Sequence, residues 1–369
     1  EGTFGQLMLL TTLIFLLIIG LLVFVHELGH FWVAKRNGVK VEEFAFGFRP
    51  RLYGKQVGET MYAINAIPLG GYVKLYGERG EKGQRSLASK SIWQRFQILV
   101  AGSAMNFLLG FLGLTILFAV GFNPIFPGVN SNPYVEGKQQ IVINAVGADS
   151  PAAKAGLKSG DVVESVNGTV LNNDQEFVTI TRENLGKSIN ITILRDGKQS
   201  QVALTPRTNP PDGQGPVGAA INTSGKVHST VLQAPAAALW ESGRIVGLSA
   251  AAFGGFVKNL VVKQHVSDDV TGLIGIGALT GVARRLGVDY LLQLVVIISL
   301  GLGVINLMPI LPLDGGHIAA LGYEKAVRRP LSERQLGYLA TAGLFFVLLM
   351  FIIVTYKDII RFDVIERIF

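Results

Sequence analysis

Val25-His26-Glu27-Leu28-Gly29-His30-Phe31-Trp32-Val33-Ala34 continues an apolar run that starts at Leu7, in which only Thr11 and Thr12 are polar before Val25. Lys35-Arg36 ends the run, which is long enough to cross a bilayer as a helix. In a helix His26 and His30, four positions apart, project from one face and can share one ion. Glu27 stands beside them, free to move protons. Ionisable groups at bilayer depth cost about 2.5 kcal/mol or more and mark function rather than packing. With five His and fifteen Glu in 369 residues, chance yields His-Glu-x-x-His with an expectation on the order of 0.003 for independent positions. The spacing therefore reads as a metal-dependent hydrolytic site inside an apolar segment. Neutral imidazoles suit zinc, and zinc with one open position lowers the pKa of its water to about 7.

Composition agrees with a membrane protein: 49% of the residues are hydrophobic and only 16% charged. The chain has no Cys, which excludes disulfides, thiolate nucleophiles and cysteine-bound zinc, so zinc ligands must be His and carboxylate. Residues 98–122, 290–310 and 336–356 form three more apolar runs of spanning length, for four transmembrane helices in all. The first is expected to be retained rather than cleaved, since it carries the metal motif. Twelve Lys and Arg fall within 35–95 and four within 313–335. The positive-inside tendency puts both connections on the cytoplasmic side and the 123–289 region on the other; Arg284-Arg285 argue mildly against that orientation. The net charge of +7 reads as membrane orientation, not as a nucleic-acid surface. His26 precedes Lys35 by nine residues, about 13 Å of helix, so the motif lies below the membrane surface.

Between the first two spans, Glu42-Glu43-Phe44-Ala45-Phe46-Gly47-Phe48 alternates with period two, and residues 60–67 and 71–76 repeat that pattern around Pro68-Leu69-Gly70. These are expected to be membrane-associated β-hairpins beside the site, whose edge pairs with an unwound substrate strand. From about 134 to 207 the composition becomes that of a small soluble α+β domain. Strands are expected at 141–146, 161–166, 188–195 and 199–206, with helices at 150–157 and 175–185 and turns at Asn167-Gly168 and Asp196-Gly197. Asn209-Pro210-Pro211-Asp212-Gly213-Gln214-Gly215-Pro216 reads as a linker. Residues 232–262 read as an interfacial amphipathic helix, their uninterrupted apolar part being too short to span. His228 and His265 read as isolated surface positions.

Two His cannot hold a catalytic zinc alone. Asp314 is the candidate third ligand. It lies in Asn306-Leu307-Met308-Pro309-Ile310-Leu311-Pro312-Leu313-Asp314-Gly315-Gly316-His317, where two prolines stop the third helix and two glycines allow close backbone approach. The first and third spans are expected to bring His26, His30 and Asp314 together.

The His-Glu-x-x-His helix, the later Asn-x-x-Pro with Leu-Asp-Gly, and the inserted soluble domain, in that order, resemble the site-2 protease family of intramembrane zinc metalloproteases, its bacterial RseP-like branch in particular. The stretch from Ser150-Pro151-Ala152-Ala153 through Gly156-Leu157, Gly160-Asp161 and Asn167-Gly168 resembles a PDZ domain, present once. Other matching segments are residues 44–48 and 68–72, Ala101-Gly102 with Asn106, and residues 270–276; Ser103 and Leu273 stand where the family commonly has Pro. The resemblance implies His26, His30 and Asp314 as zinc ligands, Glu27 as the general base, and Asn306 and Asn106 as substrate-binding residues. His317 reads as an ordinary cytoplasmic His.

The fold class expected is an α-helical membrane protein with four transmembrane helices, a membrane-associated β-hairpin region and one inserted α+β PDZ domain. Residues 1–122 hold the first two spans, 123–208 the PDZ domain, 209–289 a linker with an interfacial helix, and 290–369 the last two spans. The resemblance implies cleavage of transmembrane segments of single-span proteins, such as anti-sigma factors or remnant signal peptides, in a bacterial inner membrane. The site would lie toward the cytoplasm and the PDZ domain on the periplasmic or extracellular side. Membrane lipids and a peptide or carboxyl-terminal ligand of the PDZ domain are the further partners; no nucleic acid is expected. The alternative is a non-catalytic membrane adaptor that recruits partners through its PDZ domain.

Overall fold

The computed structural model describes residues 2–361 apart from 79, 80, 82, 127, 138, 172, 196, 212, 213, 260, 261 and 263–270. His265, Val270, Asp196 and the Asp212-Gly213 pair of the expected linker lie outside the described residues. The chain forms two compact units, Leu114–Glu241 and the flanking segments Glu1–Gly113 with Ser242–Phe369.

In the flanking unit the apolar run becomes one helix, α1 (Gly2–Arg36). Lys35 and Arg36 in its last turn complement the helix dipole. Gly38, at φ +66°, closes it, with Val39 N–H on the carbonyl of Ala34 and Gly38 N–H on that of Lys35. This Schellman closure needs a left-handed residue, which glycine adopts without a Cβ penalty. The chain then enters β1 (Val41–Val57) and β2 (Thr60–Leu75), which pair antiparallel. The expected set of hairpins is thus a single two-stranded ribbon that bends on itself. Residues 51–57 pair with 60–65, while 41–46 pair with 71–75 and a further register joins 43–48 to 61–67. The buried Glu43, ion-paired with Arg51, fastens the bend.

α2 (Ile92–Val120) follows and, further along the chain, α5 (Ala234–Lys258), α6 (Leu273–Leu286), α7 (Val288–Asn306), α8 (Asp314–Val327) and α9 (Glu333–Arg361). Among the described residues four stretches are long and apolar enough to cross a membrane: Gln6–Arg36, Ile92–Val120, Val288–Asn306 and Glu333–Ile360. Ile18 and Leu22 of α1, Ala283 of α6 and Leu294 of α7 form a buried cluster with Leu109 of α2 packed on it. Ser103 is fully buried within an uninterrupted α2. α6 was not expected as a helix. Its cap residue Gly272 offers no side chain, and Asp358 of α9 supplies the acceptor instead, taking the N–H groups of Gly272 at 2.9 Å and Gly275 at 2.8 Å. A capping group 86 residues away leaves no local signal.

The second unit contains β3 (Gln140–Val146), α3 (Pro151–Lys154), β4 (Val162–Val166), β5 (Thr169–Val170), α4 (Asp174–Glu183), β6 (Ile189–Arg195), β7 (Lys198–Leu204) and β8 (Ala219–Ser224). Its sheet runs β7-β6-β4-β3-β8 with antiparallel pairs, and β5 adds to β4. Ser150 caps α3, with Pro151 in the first turn. Asn173 and Glu176 cap α4 reciprocally, Glu176 N–H to Asn173 Oδ1 and Asn173 Nδ2 to Glu176 Oε1. Alternate residues Ile189, Ile191 and Ile193 of β6 are fully buried against Ile141, Ile143, Val163 and Phe177. The sheet reaches beyond residue 208, because β8 pairs along β3. The Pro- and Gly-rich stretch read as a linker lies between β7 and β8 of the same sheet, and the unit is wider than the 123–208 segment expected.

Asp161, 1% exposed, accepts from Arg195 Nε and Nη2, both at 2.5 Å, and from Lys158 N–H at 2.8 Å. The Arg195 guanidinium holds this carboxyl below the usual carboxylate range. A depressed carboxyl contributes stability above its unfolded pKa, about 3.9, and loses it as pH falls through the folded value. Hydrogen-exchange protection of β4 and β6 amides in the full chain, relative to the intrinsic rate at each pH, is expected to fall below about pH 4. Arg195→Met should destabilise these strands by about 2 kcal/mol at pH 7, leaving a buried acceptor short of its charged donor, and should flatten the acid dependence. Unchanged exchange in the variant would refute this role.

Candidate metal centre

Three side chains of the centre come from α1. His26 and His30 are one turn apart, with ring centroids at 4.8 Å. His30 Nδ1 lies 2.8 Å from the carbonyl oxygen of Ile98 on α2. A carbonyl only accepts, so Nδ1 carries the proton and Nε2 the lone pair. Glu27 faces the ribbon. A Cβ on Gly71 would stand 3.6 Å from its Cγ.

The fourth side chain arrives from a different helix. α7 ends at Asn306, and the Pro309 and Pro312 turn leads directly into α8, whose first residue is Asp314. A Cβ on Gly315 would lie 2.2 Å from the carbonyl oxygens of Leu307 and Met308, so only glycine lets the start of α8 close onto the end of α7. The expectation of an aspartate at the edge of the third span thus becomes an aspartate opening a helix of its own. In the sequence this stretch looked like a short connection, because its Pro and Gly residues are breakers elsewhere.

Asp314 Oδ2 lies 3.1 Å from His26 Nε2 and 3.2 Å from His30 Nε2, and the two Nε2 atoms are 3.1 Å apart. Ligand atoms on a tetrahedral zinc, with bonds of about 2.0–2.1 Å, stand about 3.3 Å from one another. The triangle has that size. The three side chains are 10%, 12% and 19% exposed, so the donors are shielded without being sealed. Two imidazoles and one carboxylate fit a divalent metal that keeps a position for water or substrate. α2 forms the wall behind them: a Cβ on Gly102 would meet His30 Nε2 at 2.4 Å and His26 Nε2 at 2.6 Å, and one on Gly29 would meet the Ala101 carbonyl oxygen at 2.3 Å.

The two expected substrate-binding asparagines converge on the other side of the His26 ring. Asn106 Nδ2 is 3.2 Å and Asn306 Nδ2 3.5 Å from His26 Nδ1. Asn306 is half-buried and Asn106 fully buried. His228 pairs with Glu136 at the surface, 3.4 Å apart, and the exposed His317 is not among the donors of the cluster. The Ile98 carbonyl and the contact at Gly102 have no place in the sequence reading. The first is a main-chain group, which no residue type announces.

The sequence profile of peptidase family M50 matches residues 14–350. The chain belongs to peptidase family M50. A Mesorhizobium japonicum protein whose name ascribes it zinc metalloprotease activity is 33% identical to this M50 chain, over 95% of the chain and 99% of its own length. The Bacillus subtilis protein named regulator of sigma-W protease RasP is 27% identical over 95% and 98%. Among solved structures, the PDZ domain of an SdrC-like protein from Listeria monocytogenes overlaps 22% of the chain and 85% of its own at 22% identity and a TM-score of 0.20, which is too low to decide a fold. M50 membership makes the chain a metalloprotease of the site-2 type, as the paired motifs led one to expect.

Proposed function

We propose that this M50 chain is a zinc-dependent endopeptidase that cuts transmembrane segments of single-span proteins. His26, His30 and Asp314 hold the zinc and Glu27 is the general base. The observation that carries this reading is the triangle of donor atoms, 3.1–3.2 Å on each side, with a carboxylate next to it in the chain. Bound zinc supplies polarisation of the scissile carbonyl and acidification of the attacking water. Glu27 takes a proton from that water and hands it to the leaving amine.

A membrane setting is supported by apolar surface that the described residues leave uncovered, such as Leu17 at 72% and Phe345 at 69% exposure, on helices long enough to span. The Lys- and Arg-rich connections face the cytoplasm of a bacterial inner membrane, and the second unit faces the opposite side. A helical substrate has its carbonyls engaged in internal hydrogen bonds and must unwind before attack. The β1–β2 ribbon receives the unwound strand by edge pairing. A recess of about 590 Å³ between α1 and the ribbon, lined by Leu17, Phe24, Phe46 and Tyr62 among others, takes its apolar side chains. The Leu114–Glu241 unit acts as a PDZ-type gate that binds a peptide or carboxyl terminus.

The test is incubation of the purified full chain in detergent with a single-span substrate, with and without a zinc chelator. Cleavage is expected to stop with chelator and to return when zinc is added back. Cleavage that persists after the metal has been removed would reject the reading.

A further inference from the structure

We propose that Asn106 is a positioning residue for the metal centre: its buried amide accepts the Nδ1 proton of His26 and so leaves Nε2 bare toward Asp314. The inference rests on the metal-site reading above and assigns Asn106 a role other than the substrate contact that the resemblance implied. The two histidines of the cluster differ in how their tautomer is set. For His30 the Ile98 carbonyl decides it, because that oxygen can only accept. For His26 the neighbours of Nδ1 are two side-chain amides, Asn106 at 3.2 Å and Asn306 at 3.5 Å, and an amide can present either its oxygen or its NH₂.

With NH₂ toward the ring, Nδ1 must carry the lone pair and Nε2 the proton, which points at Asp314 and blocks ligation. With oxygen toward the ring, the protons are reversed and Nε2 can bind metal. Asn106 is 0% exposed and the His26 side chain 10%, so bulk water does not do this work. Among the described residues, Asn106 Oδ1 is a buried acceptor without a hydrogen-bond partner while Nδ2 faces the ring. Turning the amide end for end brings that oxygen to His26. The backbone is placed to hold it there: Asn106 follows Gly102 by four residues, on the face of α2 that meets both rings, and Ser299 Oγ of α7 donates to the Asn106 carbonyl at 2.8 Å. Being fully buried, Asn106 is poorly placed to meet a substrate, whereas Asn306 is half-buried.

The experiment measures zinc affinity of the full chain in detergent by competition with a chromophoric chelator, for wild type, Asn106→Leu, Asn106→Asp and His26→Ala. KM for a single-span substrate is measured at saturating zinc. Asn106→Leu removes the acceptor at similar volume and should weaken zinc binding about 10–100-fold, with KM unchanged. Asn106→Asp keeps an acceptor and should stay within about threefold of wild type or bind more tightly. If Asn106→Leu does not fold, the aspartate variant decides alone, and a tenfold loss of affinity in it overturns the proposal. Wild-type affinity in Asn106→Leu, or a raised KM with zinc binding intact, overturns it as well. His26→Ala that still binds zinc like wild type would instead defeat the metal-site reading itself, so the two failures are distinguishable.

Discussion

Glu27→Gln is expected to lower the cleavage rate of a single-span substrate by about 10²–10⁴-fold, the range for loss of a positioned general base, while zinc content stays at the wild-type level. Glutamine matches glutamate in size and fits the same space beside Gly71, so the local packing survives. What disappears is the ability to take a proton. None of the three donor atoms of the cluster belongs to Glu27, which is why metal and activity should separate in this variant. Rate and zinc content measured on the same preparation check the prediction. A variant that retains both zinc and full rate would remove Glu27 from the mechanism; one that loses both would make it a ligand or a structural support.

Gly102→Ala is expected to weaken zinc binding by about 100-fold or more, beyond the usual cost of disturbing a ligand's supporting partner. The added methyl would lie 2.4 Å from His30 Nε2 and 2.6 Å from both Cε1 and Nε2 of His26, distances no carbon tolerates. The atoms it meets belong to the two donor rings of the proposed metal site. Neither ring can withdraw freely, because His30 is tied to the Ile98 carbonyl and His26 is flanked by Asn106. Relief therefore means separating α2 from α1, which opens the donor triangle. Gly110→Ala serves as the control: its methyl would strike the Leu300 side chain of α7 at 2.4 Å, away from the donors. It should lower thermal stability and keep zinc. Equal zinc affinity in Gly102→Ala and wild type would show that α2 does not wall the site as described.

Much of the centre is legible in the amino-acid sequence. Spacing alone puts His26 and His30 on one helical face, and the need for a third ligand in a chain without Cys directs attention to Asp314. Period-two alternation around Phe44 and Phe46 announces the strands beside the site, and the capping residue Ser150 sits where its helix begins. What escaped notice was stabilised from far away. α6 takes its cap from Asp358, and β8 is a short Ala-Ala-Ile-Asn-Thr-Ser segment whose strand form depends on pairing with β3. α8 hid in a glycine- and proline-marked stretch whose helix start is set by contact with the end of α7.

The order of residues by itself determined which groups could meet an ion, because helical geometry is local and four residues always return to the same face. Only the tertiary structure decided how those groups are tuned. The proton position on His30 depends on a main-chain carbonyl 68 residues away, that on His26 on amides from two other helices, and the room for both rings on the missing side chain of Gly102. Those are through-space contacts between separate helices, and hydrogen bonds and steric overlap depend on ångström distances that sequence separation does not encode.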